Sequence, residues 1–262
     1  MKYGFIGCGN MGGAVAQALS KVTTDFCVSD RSGRAKKIAD ELGVIYTDTK
    51  TIAATCDRIF LCVKPQMMAG VLGEVSDILA ERCPVLITMA AGLTSESICS
   101  MAGVQLPVIR IMPNTPVAVG KGVVLCCKND LVTDDVLEDF VSDLRYAGKI
   151  DMLPEKLFDP ATAVSGCGPA YVYMFIDALA DGAVSCGIPR EKALEYAAGV
   201  LAGAAEMVLT SKKHPGALKD AVCSPGGSTI AGIRVLEQNG FRGAAMECVA
   251  AAYAKNGELG KQ

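Results

Sequence analysis

Gly7, Gly9 and Gly12 are the residues with the clearest chemical use in this chain. They follow an apolar run, Tyr3–Ile6, and precede Ala14, Val15, Ala18 and Leu19 at helical spacing. Gly7 permits a tight strand-to-helix turn. Gly9 lets a pyrophosphate approach the backbone, and Gly12 lets helix and strand pack closely. The phosphates would then face the unpaired N–H groups and positive dipole of a helix N-terminus. The loop points to dinucleotide binding; a glycine turn without a ligand is the plainer alternative. A second glycine segment, Ser224-Pro225-Gly226-Gly227-Ser228-Thr229, places converging backbone N–H groups at another helix start. A carboxylate is the guest such a nest suits, while a simple turn before a helix explains the spacing equally well.

The end of the second strand decides which dinucleotide fits. An acidic residue there accepts a ribose 2′-OH, whereas arginine and hydroxyl groups hold a 2′-phosphate. The chain reads Ser29-Asp30-Arg31-Ser32, then Arg34, Lys36 and Lys37. Asp30 argues for NADH. Ser29, Arg31, Ser32 and Arg34 argue for NADPH, and the balance favours NADPH with NADH use left open. The plainer use of Arg34, Lys36 and Lys37 is the solvated face of the next helix.

These loops need a scaffold. Apolar runs at Tyr3–Ile6, Phe26–Ser29, Val44–Tyr46, Arg58–Val63, Val85–Met89 and Val108–Met112 predict strands. Helical patterns fall between them, at Gly12–Lys21, Arg34–Leu42, Gln66–Leu79 and Thr94–Met101. Continuous apolar strands separated by helices predict a parallel sheet covered on both faces. Val123–Cys127 and Ile150–Leu153 are further strands around a helix, Asp134–Tyr146, which Thr133 or Asp134 caps. Beyond about Pro160 only helices are expected: Ala170–Cys186, Pro189–Leu209, Pro215–Cys223, Thr229–Glu237 and Phe241–Leu259. The fold class is thus α/β: a Rossmann-type doubly wound parallel sheet over residues 1–158, then an all-helical domain over 159–262. The helical part is rich in small residues and too apolar for a solvated appendage. An oligomer interface is its natural use, with a compact intramolecular bundle as the alternative.

Composition excludes other classes. A formal net charge of −3 and the absence of a basic stripe argue against nucleic acid. The longest apolar stretch, Ala170–Ile188, carries Asp177 and Asp181, which argues against a membrane span. With the first strand opening the chain, no secretory leader is expected. The twelve cysteines form no Cys-x-x-Cys pair, and the one histidine is His214, so no metal site is expected. Cys27, Cys62, Cys126, Cys127, Cys186 and Cys248 read as small hydrophobes in strands and helices, as in a reducing cytoplasm. Cys8 and Cys223, in or beside glycine loops, are the two open to oxidation. Asp177 and Asp181 lie one turn apart, a spacing that suits acid–base work but more often serves structure.

Three further segments end predicted strands: Cys62-Val63-Lys64-Pro65, Met89-Ala90-Ala91-Gly92, and Arg110-Ile111-Met112-Pro113-Asn114-Thr115-Pro116. In parallel sheets ligands bind beyond the carboxyl ends of strands, so these loops are expected to line one crevice. Together the segments GFIGCGNMG, CVKPQ, ITMAAG, RIMPNTP, SGCGPAY and HPGALKDAVCSPGGSTIAG resemble the pyrroline-5-carboxylate reductases, in order and over essentially the whole chain.

That resemblance implies reduction of 1-pyrroline-5-carboxylate to L-proline with NAD(P)H, the last step of proline synthesis. It implies a homodimer through interlocking helical domains and a higher assembly such as a decamer. By the same resemblance Gly7, Gly9, Asn10, Met11 and Gly12 form the pyrophosphate loop. Val63, Lys64 and Pro65 lie beside the nicotinamide half, and Met112, Asn114 and Thr115 support nicotinamide and substrate. Ser224, Gly226, Gly227, Ser228 and Thr229 form the substrate loop, with backbone amides on the carboxylate and the Thr229 hydroxyl near the ring nitrogen. Asp30 departs from the pattern, standing where many NADP-preferring members carry an uncharged residue. A β-hydroxyacid dehydrogenase would combine similar domains but needs a catalytic lysine, typically followed by Asn. Lys212, Lys213 and Lys219 lack that setting. A coenzyme-binding sensor would leave the substrate loop unexplained.

Overall fold

The computed structural model describes residues 2–259, which divide into two compact units. The first comprises residues 2–167 together with 252–259, and the second Gly168–Ala251.

The first unit opens β1 (Tyr3–Ile6), α1 (Asn10–Ser20), β2 (Phe26–Ser29), α2 (Arg34–Leu42), β3 (Ile45–Tyr46), α3 (Thr49–Thr55) and β4 (Arg58–Leu61). It continues with α4 (Pro65–Arg82), β5 (Val85–Thr88), α5 (Ser95–Ala102), β6 (Val108–Met112), β7 (Gly122–Lys128), α6 (Asp134–Asp143), β8 (Gly148–Met152) and α7 (Phe158–Ser165). The eight strands form one sheet in the order β3-β2-β1-β4-β5-β6-β7-β8. The central strands are buried along their whole length, as their unbroken apolar runs require. Tyr3, Phe5, Phe26, Phe60 and Phe140 lie in the core on one face, where Phe5 stacks on Phe60 with ring centroids 4.3 Å apart. Ile52, Leu72, Leu79 and Ile98 fill the core on the other.

The sheet departs from all-parallel pairing at one place. β7 runs antiparallel to β6, and β8 is parallel to β7. Only residues 113–121 join β6 to β7, too short a link for a crossover. They form a tight 3₁₀ turn, Thr115–Val119, closed by Gly120 at φ +71°. Helix α3 was not expected from the sequence; the side chain of Asp48 caps it by accepting the Thr51 N–H. The residues around 158–165, expected as the start of the helical region, are helical and belong to the first unit.

A charged cluster closes the amino-terminal edge of the sheet. The Tyr3 hydroxyl donates to Asp143 at 2.7 Å and accepts from Arg58 at 2.7 Å. Arg58 also pairs with Asp139 at 2.7 Å, and Lys2 with Asp143 at 2.7 Å.

The second unit contains α8 (Gly168–Ser185), α9 (Arg190–Ser211), α10 (Pro215–Ala221), α11 (Ser228–Gln238) and most of α12 (Phe241–Leu259). Its core is small: Ala180, Ala193 and Ala197 are buried where α8 meets α9. Asp181 pairs with Arg190 at 2.6 Å across the turn between them, a structural use of that carboxylate. His214 accepts the Gly216 N–H at 3.1 Å through Nδ1 and so caps α10. Large apolar side chains remain exposed within the unit, among them Met174, Val200 and Leu209. The stretches Glu155–Ser185 and Arg190–Ser211 are long and apolar enough to cross a membrane by length and composition alone.

Candidate coenzyme and substrate sites

The glycine loop joins β1 to α1. Gly7 adopts φ +86°, and a Cβ on it would meet Val63 Cγ1 at 2.6 Å and the Val63 backbone nitrogen at 2.9 Å. Only glycine tolerates both the left-handed backbone and the closeness of the β4 exit. The Gly7 and Cys8 N–H groups donate to the Ser29 carbonyl at 2.8 and 3.1 Å, tying the loop to the end of β2. A Cβ on Gly12 would press on Cys62, with contacts at 3.0–3.1 Å. Gly9 differs: its missing side chain faces open space. Gly9 is also the N-cap of α1, and no side chain caps that helix. The loop thus leaves the first-turn N–H groups of Asn10, Met11 and Gly12 without a side-chain partner, as a bound phosphate requires.

Beyond the loop lies a cavity of about 940 Å³. Gly7, Gly9, Ser29, Arg31, Val63 and Lys64 all line it, so the sequence-selected residues from β1, β2 and β4 converge on one space. Pro65 occupies the first turn of α4, with Lys64 as its extended N-cap. Ser29 is buried, and its hydroxyl donates to the Phe5 carbonyl at 3.4 Å. Ser29 therefore shapes the wall, and Ser32 and Arg34 line the cavity beside Arg31.

Asp30 lines the cavity as well, but its carboxylate is engaged with the start of α2. Its Oδ2 accepts the Ser32 hydroxyl at 2.6 Å and the Arg34 N–H at 2.9 Å, and its Oδ1 accepts the Gly33 N–H at 2.9 Å. Both oxygens are thus engaged at the start of α2. Burial pulls the Asp30 carboxyl up, but hydrogen bonds from Ser32 and the backbone of Ala35, Arg34 and Gly33 together hold it below the usual aspartate value.

The other sequence-selected residues of this unit have different surroundings. Met112 packs with Leu125, Cys127 and Phe158. Asn114 is buried; its amide donates to the Ser165 carbonyl at 2.9 Å and accepts the Val123 N–H at 2.9 Å. Its side chain braces the loop after β6. Cys8, expected to be open to oxidation, is fully buried instead, and burial together with Asp30 pushes its thiol up to about 12. Cys186, expected as a buried hydrophobe, is exposed. The far wall of the cavity, Tyr46 to Lys50 with Met67 and Glu74, was not anticipated. Its weak signals were a two-residue strand and an Asp-x-x-Thr cap.

In the second unit the loop 224–227 leads into α11. Gly226 has φ +67°, and Gly227 donates to the Ser224 carbonyl at 3.0 Å. Gly227 is the N-cap of α11, again with no side-chain cap, and Ser228 and Thr229 occupy the exposed first turn. The loop and helix start offer backbone donors to an anion, with the Thr229 hydroxyl close by in the chain.

Comparison with known proteins matches both halves. Residues 155–259 match the family described as pyrroline-5-carboxylate reductase dimerisation. Residues 2–92 match the family described as NADP oxidoreductase, coenzyme F420-dependent. The pyrroline-5-carboxylate reductase of Escherichia coli K12 is 38% identical over 266 residues, spanning 99% of this chain and 98% of that protein. The crystal structure of Plasmodium falciparum pyrroline carboxylate reductase with NADP bound superposes with a TM-score of 0.89 at 32% identity, covering 99% and 98% of the two chains. The Streptococcus pyogenes 1-pyrroline-5-carboxylate reductase gives 0.90 at 32% identity, covering 98% of each.

Proposed function

This chain belongs to the pyrroline-5-carboxylate reductase family, and from that membership we propose how its residues reduce 1-pyrroline-5-carboxylate to L-proline. The enzyme is an NADP-dependent oxidoreductase of proline biosynthesis. The observation that carries the residue assignment is the uncapped start of α1 at Gly9, opening onto a cavity that Arg31 also lines.

The first-turn N–H groups of Asn10, Met11 and Gly12 hold the pyrophosphate, Gly7 makes the turn that places them, and Gly9 leaves room for the phosphate to approach. Arg31, with Ser32 and Arg34, receives the 2′-phosphate, while Ser29 shapes the floor beneath it. Val63, Lys64 and Pro65 border the nicotinamide half, and Met112 and Asn114 fix the loop that supports it. The bound coenzyme supplies the hydride.

The remaining work is positioning. The imine nitrogen is basic enough to arrive protonated, and the iminium carbon already accepts hydride. The product nitrogen keeps that proton, so no strong acid–base pair is required. The backbone N–H groups of Ser224, Gly226 and Ser228 hold the substrate carboxylate and fix which ring face is presented, while Gly227 closes the turn onto the Ser224 carbonyl. Thr229 orients the ring nitrogen through its hydroxyl. Holding reacting atoms about 3–3.5 Å apart can remove roughly 7–11 kcal/mol of barrier.

The functional division we propose is residues 1–158 for coenzyme and 159–262 for substrate and dimerisation. The match of 155–259 to a dimerisation family supports it, as do the exposed apolar side chains of α8 and α9. A second copy of the chain covers that surface, and the homodimer builds into a larger assembly such as a decamer. The enzyme works in the cytoplasm without nucleic acid or membrane. The net charge of −3 argues against nucleic acid, Asp177 and Asp181 within the apolar helix argue against a membrane span, and the unpaired cysteine usage fits a reducing cytoplasm.

The decisive assay follows NADPH and NADH oxidation by the purified protein with 1-pyrroline-5-carboxylate, beside a straight-chain 3-hydroxy acid run in reverse. Imine-dependent oxidation is expected. Coenzyme binding without imine turnover overturns the reading.

A further inference from the structure

Three carboxylates line the coenzyme cavity: Asp30, Asp48 and Glu74. Two of them are committed to helix starts. Asp30 is closed onto α2 by Ser32, Gly33 and Arg34. Asp48 caps α3, accepting the Thr51 N–H at 2.9 Å and the Thr51 hydroxyl at 2.8 Å. Glu74 stands apart. It lies in the middle of α4, where no helix end needs it, and its Oε2 sits 3.4 Å from Nη2 of Arg31. Both side chains are solvent-facing, so the pair can open at little cost.

Arg31 is the cation assigned to the 2′-phosphate, and this inference rests on that reading of the site. Glu74 holds one edge of the Arg31 guanidinium, so a phosphate dianion has to share Arg31 with that carboxylate or displace it. A coenzyme without the 2′-phosphate asks nothing of Arg31 and leaves the ion pair in place. We propose that Glu74 is a coenzyme-selectivity residue, competing with the 2′-phosphate for Arg31 and so holding down the preference for phosphorylated over unphosphorylated dinucleotide. Sequence reasoning assigns the acidic vote to Asp30. The geometry transfers it to a residue on another helix, 43 positions away from the arginine it engages.

The test measures binding of NADPH and NADH to the full-length protein without imine, by the change in reduced-coenzyme fluorescence. The quantity read is the ratio of the NADH to the NADPH dissociation constant. Glu74→Gln is expected to raise that ratio about two- to fivefold, the range set by an exposed ion pair. In an Arg31→Ala background the same change is expected to leave the ratio where Arg31→Ala alone puts it. A Glu74→Gln ratio that is unchanged or lowered overturns the proposal, as does a rise that persists without Arg31. Because no imine is present, a protein that binds NADPH yet turns over no imine refutes the reductase reading while this measurement still stands.

Discussion

The Asp30 carboxylate accepts the backbone N–H of Arg34 at 2.9 Å, so the acid at the end of β2 serves the start of α2. In a Rossmann unit an acid at this place is read as a ribose ligand. Here its second oxygen is engaged by Gly33 as well, which leaves Arg31 as the charged group of this segment directed to other work. An acidic residue beside the coenzyme and NADP use are therefore compatible.

Asp30→Ala is expected to cost about 0.5–2 kcal/mol of stability, the usual loss when a capping side chain is removed. Its carboxyl is held below the ordinary aspartate value of 3.8 in the folded chain. A depressed value stabilises fully above the unfolded pKa and is lost as pH falls through the folded one. The stability gap between wild type and Asp30→Asn should therefore close as pH falls below about 3.8. Urea unfolding of both proteins from pH 6 down to about pH 3 reads it; a gap independent of pH rejects the assignment.

Arg31→Ala removes the cation assigned to the 2′-phosphate. Hydrogen bonds to charged groups contribute about 1.5–3 kcal/mol. The KM for NADPH should rise by roughly 10–150-fold, with that for NADH moving by less than about threefold. Steady-state kinetics with each coenzyme separate the outcomes. Equal rises for both would give Arg31 a general role in folding the cavity.

How much of this was legible in the sequence follows from range. The β1–α1 unit was readable because Tyr3–Ile6, Gly7, Gly9 and Gly12 are contiguous and each has a local geometric reason. The short strand β3 was legible at Val44–Tyr46, but the seven-residue α3 carries too little periodicity to be recognised, so the far cavity wall stayed hidden. The antiparallel β7 was hidden for another reason: its apolar pattern is the same in either direction, and only the short link at 113–121 decides. Contacts across the sheet left no trace at all. Cys27 and Cys56 sit with sulfurs 3.4 Å apart, and Tyr3 bridges Arg58 to Asp143, 140 positions from its own. The Asp30 turn was legible in principle, since Asp-x-Ser-Gly before a helix is a local turn pattern.

Gly7 and Gly9 should respond oppositely to the same change. Gly7→Ala puts a Cβ against Val63 and forces a non-glycine residue to φ +86°, a strain of about 1–3 kcal/mol. Its melting temperature should fall. Gly9→Ala meets no atom within 4 Å, so the fold is expected to keep its melting temperature. The added methyl instead occupies the approach assigned to the pyrophosphate, and NADPH affinity should fall by at least about tenfold, or 1.4 kcal/mol. Calorimetry with coenzyme titration distinguishes the two, and an unimpaired Gly9→Ala would move the pyrophosphate elsewhere.

Thr229→Ala tests the substrate side. The residue sits in the exposed first turn of α11, two positions after the N-cap Gly227, and among the described residues its hydroxyl makes no hydrogen bond. Circular dichroism and NADPH affinity should therefore match the wild type. Losing a polar contact to a charged ring nitrogen should lower turnover by about one to three powers of ten, the equivalent of about 1.4–4 kcal/mol. Thr229→Ser keeps a hydroxyl at the same position and is expected to recover most of the rate, because the geometry asks for the oxygen and not the methyl. If Thr229→Ala turns over as wild type does, the backbone N–H groups of the loop suffice to orient the imine, and Thr229 has no part in the chemistry.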